Sequence, residues 1–210
     1  MQFTPQSAAW DSIADAWERV RRKPYPLAEK LAATWPPGKI LDIGCGNGRN
    51  LVPFAEKAFE CVGVDASKSL RDYATARLRN YPAILVHADA TSLPFSDATF
   101  DCAICLAVLH HLPPAGQKTA LAELFRVLKP GGKAAISVWN KLQWKFAFGA
   151  KEQQVPWTLD SGKKVDRYYY FFTFWELKKL LAEMGFVIES ATGRFAQNCD
   201  FIVSKPSAVL

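Results

Sequence analysis

The chain predicts an α/β fold in which a mostly parallel sheet carries helices on both faces. Three observations lead there. Between residues 39 and 139, short apolar runs of strand length alternate with segments of helical period, the spacing of parallel strands joined by right-handed crossovers. The first strand runs into a glycine turn, Gly44-Cys45-Gly46-Asn47-Gly48. The second, Cys61-Val62-Gly63-Val64, closes on an acid, Asp65. An open sheet with these two features presents a ligand site at the carboxyl ends of its strands.

The elements follow in order. Trp10, Ile13, Trp17 and Val20 recur at helical spacing, so residues from about Ser7 to Val20 form an amphipathic helix. Arg21-Arg22-Lys23-Pro24-Tyr25-Pro26 ends it, because a proline disfavours helix in the residue before it. A second helix runs to about Trp35 and stops at Pro36-Pro37-Gly38, making residues 1–37 an N-terminal helical lid or cap. Then come strand 39–43, helix 47–57, strand 61–65, helix 68–80, strand 83–87, strand 100–106, helix 115–127 and strand 133–139. After Trp139 the rhythm stops until Thr173, and residues 140–172 read as a substrate-side insertion, since long interruptions in compact domains tend to be functional. Thr173-x-x-Glu176 is a capping box for a helix ending at Gly185. Strands near 186–192 and 200–204 complete the sheet, and residues 1–210 read as one domain without repeats or linkers.

Composition narrows the class. With 210 residues, half of them apolar, the chain has sequence enough for a core and no sign of disorder. No apolar run approaches the ~20 residues of a membrane span, and no secretory signal opens the chain, which leads to the expectation of a cytoplasmic protein without membrane association. Five cysteines without a framework spacing argue against a disulfide scaffold. Cys102-x-x-Cys105 reads as strand, where residues three apart face opposite sides, so both belong to the core and no metal site is expected. The net charge is +6. Between Lys141 and Lys179 eight basic residues meet four acidic ones, interleaved with Trp144, Trp157, Tyr168, Tyr169 and Tyr170. Basic residues among aromatics point to a polyanionic substrate such as nucleic acid.

The glycine turn selects the ligand. Glycines lack Cβ, so the backbone can turn sharply and let a ligand approach, and a helix starting near Asn47 offers unpaired N–H groups. The dinucleotide fingerprint needs a third glycine where Arg49 stands. Asp42-x-Gly44-Cys45-Gly46-x-Gly48 with Asp65 instead resembles the S-adenosylmethionine site of the class I methyltransferases, which implies a Rossmann-like seven-stranded methyltransferase fold. Asp65 is placed to hold two ribose hydroxyls, and Asp89 to meet the adenine amino group with Leu93-Pro94-Phe95 as apolar wall. The expected cofactor set is Asp42, Gly44, Cys45, Gly46, Asn47, Gly48, Asp65, Ala66, Ser67, Asp89, Ala90 and Leu106. His110 and His111, just past the fourth strand, point towards a methyl acceptor, with one of them expected to do no more than pack against the next helix.

A narrower resemblance follows from Val108-Leu109-His110-His111-Leu112, Glu123-Leu124-x-Arg126-Val127-Leu128-Lys129-Pro130-Gly131-Gly132 and Val138-Trp139-x-x-x-Gln143. Tyr25-Pro26 after Arg22-Lys23, Val155-Pro156-Trp157, and Arg167-Tyr168-Tyr169 before Phe171 extend it over most of the chain. Together these resemble the tRNA wobble-uridine carboxymethyl methyltransferases. The Lys129–Gly132 motif is shared by many methyltransferases; the histidine pair and the motifs around Trp139, Trp157 and Arg167 are the specific part. The chain departs from the family pattern at Cys199, where a tryptophan stands in the family, and at Tyr170, where a histidine does, and both bear on acceptor specificity.

The resemblance implies methyl esterification of the carboxylate of 5-carboxymethyluridine, with no catalytic general base. His110, His111, Trp139, Arg167, Arg22 and Tyr168 would position the substrate. It also implies a tRNA substrate and a small zinc-binding activator protein as partner. Ala83-Ile84-Leu85-Val86 is expected at the sheet's edge, where an apolar, uncharged strand invites pairing with another chain. Two other readings stay open on sequence: a small-molecule methyltransferase acting on a quinone, sterol or organic acid, and an inert RNA-binding scaffold on the same fold.

Overall fold

The computed structural model describes residues 6–142 and 149–207. Gln143, Trp144 and Lys145, part of the basic aromatic stretch and of the Trp139 motif, lie outside the described residues. In chain order the elements are α1 (Ser7–Val20), α2 (Pro26–Thr34), β1 (Lys39–Ile43), α3 (Val52–Ala55), β2 (Glu60–Asp65), α4 (Lys68–Leu78), β3 (Ala83–His87) and β4 (Phe100–Leu106). A 3-10 turn, Leu109–His111, follows, then α5 (Pro114–Val127), β5 (Leu128–Trp139), β6 (Glu152–Thr158), β7 (Lys164–Tyr170), α6 (Phe174–Glu183), β8 (Val187–Thr192) and β9 (Asn198–Ser204). Seven strands form one sheet in the order β3-β2-β1-β4-β5-β9-β8. The pairs β1/β2, β2/β3 and β4/β5 are parallel, whereas β9 runs antiparallel to β5 and β8. This is the Rossmann-like, mostly parallel sheet the sequence predicts, with β3 at its edge.

Residues 6–90 with Pro156–Arg167 make one compact unit, and 91–142, 149–155 and 168–207 a second. In the first, Ile40, Leu41 and Val64 are fully buried in the sheet, and α1 buries Ile13 completely. The predicted lid is strapped down. Asp11 accepts hydrogen bonds from the Ser67 hydroxyl (2.6 Å) and the Ser69 N–H (2.9 Å), tying α1 to the start of α4. Glu18 pairs with Arg77 at 2.6 Å, both 18% exposed.

Three expectations on element boundaries are corrected. The helix expected over 47–57 is only α3, Val52–Ala55. Gly46 and Gly48 hold φ of 55° and 75°, and Pro53 fits only a first helical turn because its ring would clash with the preceding one. The residues from Cys45 to Leu51 are therefore turns, and Ala58 at φ 61° ends the short helix. Strand β5 begins at Leu128 rather than 133, with an irregularity opposite Phe100 and Cys102. The insertion over 140–172, to which the sequence reading assigns no strand, holds a two-stranded hairpin of β6 and β7. Its first strand alternates exposed and half-buried residues, the period of a ribbon with one face covered.

In the second unit β4 is buried from Cys102 to Leu106, and Cys102 and Cys105 sit in it at 4% and 2% exposure. The capping box forms: the Thr173 hydroxyl accepts the Glu176 N–H, and the Glu176 carboxylate accepts the Thr173 N–H at 3.1 Å. Gly185, at φ 87°, follows the helix it caps.

Candidate active site

In the first unit, β1 delivers the chain into a loop built on three left-handed glycines, Gly44, Gly46 and Gly48, at φ of 68°, 55° and 75°. The Cys45 N–H bonds back to the Val64 carbonyl at 2.9 Å, holding the loop beside the end of β2. Gly46 and Gly48 have different duties. A Cβ on Gly48 would meet Ala74 Cβ at 3.0 Å, so that glycine lets α4 approach the loop. A Cβ on Gly46 would meet nothing within 4 Å, so its face is open to a ligand.

Asp65 closes the loop. One carboxylate oxygen accepts the Gly46 N–H and the other the Ser67 N–H, each at 2.8 Å. Each oxygen of an ionised carboxylate has two acceptor positions, so one remains on each for paired ligand hydroxyls. Burial raises the Asp65 carboxyl above its ordinary value; the two N–H donors and Arg71 oppose that shift. Asp42 is 1% exposed and its Oδ2 has no hydrogen-bond partner. Burial and then the Asp65 charge push its carboxyl well up, with Arg49 opposing. A buried carboxyl with an unpartnered oxygen on Asp42, an open glycine and the Asp65 carboxylate fit a ligand that brings a cation and vicinal hydroxyls, which S-adenosylmethionine does.

Several expected cofactor residues serve the scaffold with their side chains. Cys45 Sγ faces the sheet, where a Cβ on Gly63 would lie 2.9 Å from it. The Asn47 amide donates to Glu18 (2.6 Å) and to the Arg21 carbonyl (2.8 Å), holding α1. The Ser67 hydroxyl donates to Asp11 and caps α4 by accepting the Leu70 N–H at 3.1 Å. The Ala66 carbonyl bonds His87 Nε2 at 3.1 Å, and Asp89 and Ala90 are half-buried just beyond β3. Asp11 and Glu18, which brace Ser67 and Asn47, went unread in the sequence, because two acids on the polar face of a helix look like solvated charge.

Arg167 belongs to the first unit and is 4% exposed. Its guanidinium carbon lies 5.4 Å from the Trp10 ring centre and 5.2 Å from that of Trp157. Trp17 braces both tryptophans, at 5.2 and 5.7 Å. Arg167 is thus a cation held in a tryptophan cage, while Arg22 is exposed.

The second unit carries the other expected positions. Leu106 ends β4 at 6% exposure, and Ala107 turns the chain at φ 64° into the histidine pair. His110 is 1% exposed, stacked on Tyr169 (5.2 Å, 15° between planes) and beside Trp139 (5.7 Å). Its Nδ1 accepts the Trp139 N–H at 3.3 Å, so the neutral ring carries its proton on Nε2. His111 does the reverse: Nδ1 faces the Tyr168 carbonyl at 3.1 Å and must donate to it. The Tyr168 hydroxyl donates to Glu152 at 2.8 Å, bridging the hairpin's base. Tyr169 and Phe171 are buried, with Trp139 and Val155 packed against them. The buried Tyr169 at the centre of this cluster was read in sequence only as part of a motif.

A model of the methyltransferase domain matches residues 41–136. A putative methyltransferase of Encephalitozoon cuniculi is 36% identical over 85% of this chain and 85% of its own length. The chain belongs to the class I S-adenosylmethionine-dependent methyltransferases. It is also 39% identical, over 70% of its length, to the tRNA (carboxymethyluridine(34)-5-O)-methyltransferase of Xenopus tropicalis, of which it spans 24%. Among solved structures, a chain from the complex between the Haloferax volcanii Trm112 methyltransferase activator and the putative methyltransferase has a TM-score of 0.74 at 16% identity, covering 97% of this chain and 99% of that one. The likeness in that structure is one of fold. Among the described residues no helix is long and apolar enough to cross a membrane.

Proposed function

We propose that this chain methylates the carboxylate of 5-carboxymethyluridine at the wobble position of tRNA. The observation that carries the reading is the 39% identity to the Xenopus tropicalis tRNA methyltransferase, over a stretch that is 70% of this chain. Trp139 supports it: it is half-buried and backed by the buried rings of His110 and Tyr169, and unpaired bases are gripped by stacking on such side chains.

When bound, S-adenosylmethionine supplies an electrophilic methyl group whose sulfur retains the bonding pair. The remaining demands fall on this chain. A carboxylate has a pKa near ~4, so at neutral pH the acceptor is already a nucleophile and no side chain need remove a proton. The work is alignment and exclusion of water, which together supply several kcal/mol. Asp65 would take the ribose hydroxyls, Asp42 would answer the cationic methionine end, Gly46 would give room, Asp89 would meet the adenine, and Ala66 and Ala90 would supply walls. On the acceptor side, the Nε2 proton of His110 has the polarity a carboxylate oxygen needs. Trp139 stacks on the base, and caged Arg167 adds a fixed positive charge. Arg22, being exposed, suits a phosphate.

The same reading includes a small activator protein, as in the Haloferax volcanii complex. Among the described residues strand β3 pairs on one side, with β2, and its Ile84 is 56% exposed. Such an edge is a template for a partner's strand. Ile84→Lys should abolish the complex and leave the fold intact.

The test is mass spectrometry of nucleosides from bulk tRNA incubated with the chain, its activator and methyl-labelled S-adenosylmethionine. Label in the methyl ester of 5-carboxymethyluridine is expected. Label confined to any other nucleoside, or none in tRNA at all, overturns the reading.

A further inference from the structure

The second unit carries an exposed aromatic and cationic face that neither the cofactor nor the acceptor residues use. Trp175, in the first turn of α6, is 53% exposed, and Phe195, in the β8–β9 connection, is 77% exposed. The Arg194 guanidinium lies 4.8 Å from the Trp175 ring centre and 5.1 Å from that of Phe195, so one cation borders both rings. Lys178 adds a second charge 5.6 Å from Trp175. Neither cation makes an ion pair among the described residues.

The face is held rigidly. Phe174 meets Trp175 edge-on at 5.2 Å and packs at 5.0 Å on the fully buried Phe201. The α6 N-terminus is fixed by the capping box, by the Tyr170 hydroxyl on Glu176 at 2.9 Å, and by the Lys151–Glu176 ion pair. The β8–β9 connection is gripped by Asn140, which is fully buried. The two hydrogens of its amide are shared among the carbonyls of Gly193 (2.9 Å), Arg194 (3.2 Å) and Ala196 (3.0 Å), and its backbone N–H donates to that of Gln197 (3.0 Å). Gly193 sits at φ 90°, and any Cβ there would collide with the Asn198 carbonyl at 1.8 Å. With the loop's backbone drawn inward onto one asparagine, Arg194 and Phe195 are left at the surface. Asn140 directly follows Trp139, so the platform is anchored one residue from the position assigned to stack on the target base.

We infer that Trp175, Arg194 and Phe195 form a stacking platform for an unpaired nucleotide that flanks the target uridine in the anticodon loop. The inference rests on the tRNA reading and extends it to a surface outside the reacting centre. Charge complementarity selects the occupant. Two flat rings bordering an unpaired guanidinium offer a base two π-faces and its phosphate a cation, on a chain of net charge +6.

The test uses the full chain with its activator and an anticodon stem-loop RNA bearing 5-carboxymethyluridine. Phe195→Leu keeps the apolar bulk and removes the ring; it should raise the Kd for the RNA about tenfold, as should Trp175→Ala. Phe195→Tyr should bind as the parent does. The KM for S-adenosylmethionine and the kcat at saturating RNA should not move. Arg194→Gln should lower the slope of log affinity against log salt by about one. Unchanged RNA affinity in Phe195→Leu overturns the platform. So does Phe195→Leu failing to bind the activator, which would make the face a protein contact, or losing binding only to anionic vesicles. If the parent methylates the stem-loop and the variants equal it, the platform alone falls. If the parent neither binds nor methylates the stem-loop, the tRNA reading falls first and the platform with it.

Discussion

Gly46 and Gly48 stand two residues apart with similar backbone, yet alanine at each should fail in opposite ways. Both hold left-handed φ, so either substitution costs about 1–2 kcal/mol of backbone strain. Nothing more is charged to Gly46→Ala in the folded protein, since its new methyl meets no atom within 4 Å. That methyl instead enters the open space at the loop. Displacing a ligand from van der Waals contact with the loop should weaken S-adenosylmethionine by tenfold or more, about 1.4 kcal/mol for each factor of ten. Gly48→Ala drives its methyl to 3.0 Å from Ala74 Cβ and 3.1 Å from Ala74 Cα and Leu78 Cδ1. Two of these three are carbons fixed by α4, so overpacking adds about 1–3 kcal/mol to the strain. Urea denaturation should therefore rank Gly48→Ala below Gly46→Ala by that margin. Calorimetric titration of the folded proteins should reverse the order. Parent-like cofactor affinity in Gly46→Ala would refute the assignment of the open face to the ligand.

Further outcomes follow from the same geometry. Asp42→Asn should stabilise the ligand-free protein at pH 7. A carboxyl whose folded pKa is raised carries a stability penalty that is absent below its ordinary value of 3.8 and grows as pH rises towards the raised one. The gain comes from removing the cost of ionising a buried carboxyl, so it should vanish near pH 3, and a gain independent of pH in thermal melts would contradict the cause given. Arg167→Lys keeps the charge but loses the planar stack on Trp10 and Trp157. It should cost about 1–3 kcal/mol of stability and lower activity on tRNA while leaving S-adenosylmethionine affinity unchanged; full activity on tRNA would remove Arg167 from the site. The methylation rate should be flat from pH 6 to 8, because the acceptor ionises near ~4; a rise with its midpoint near ~6.5 would point to a histidine base and a different acceptor.

How far the sequence could be read depended on how local each determinant is. Strands β1, β3 and β4 and helix α1 have the expected boundaries, because hydrophobic period and flanking prolines act within a few residues. The capping box at Thr173 and Glu176 is local in the same sense. The hairpin was missed because its strand period is diluted by Pro156 and by polar residues on a ribbon with only one covered face.

The site divides along the same line. A glycine's permissive φ and an acid at a strand's end are properties of the residue and its position, so the turn at Gly46 and the place of Asp65 could be read from sequence. The side-chain partners of Asn47 and Ser67 could not be, because they are Glu18 and Asp11, 29 and 56 residues away. Part of the stretch Asp42–Ser67 thus also holds α1. That strapping has a chemical consequence. The hydroxyl of Ser67 and the N–H it shares with Asp65 belong to one run of bonds from Asp11 through Ser67 to Asp65 and Gly46. The carboxylate that would hold the ribose is therefore oriented by a helix that opens the chain. Asp11→Ala should loosen that run and weaken cofactor binding although Asp11 is assigned no ligand contact. If S-adenosylmethionine affinity in Asp11→Ala stays at the parent value while α1 frays in hydrogen exchange, Asp65 is positioned by Gly46 alone and the strap serves only stability.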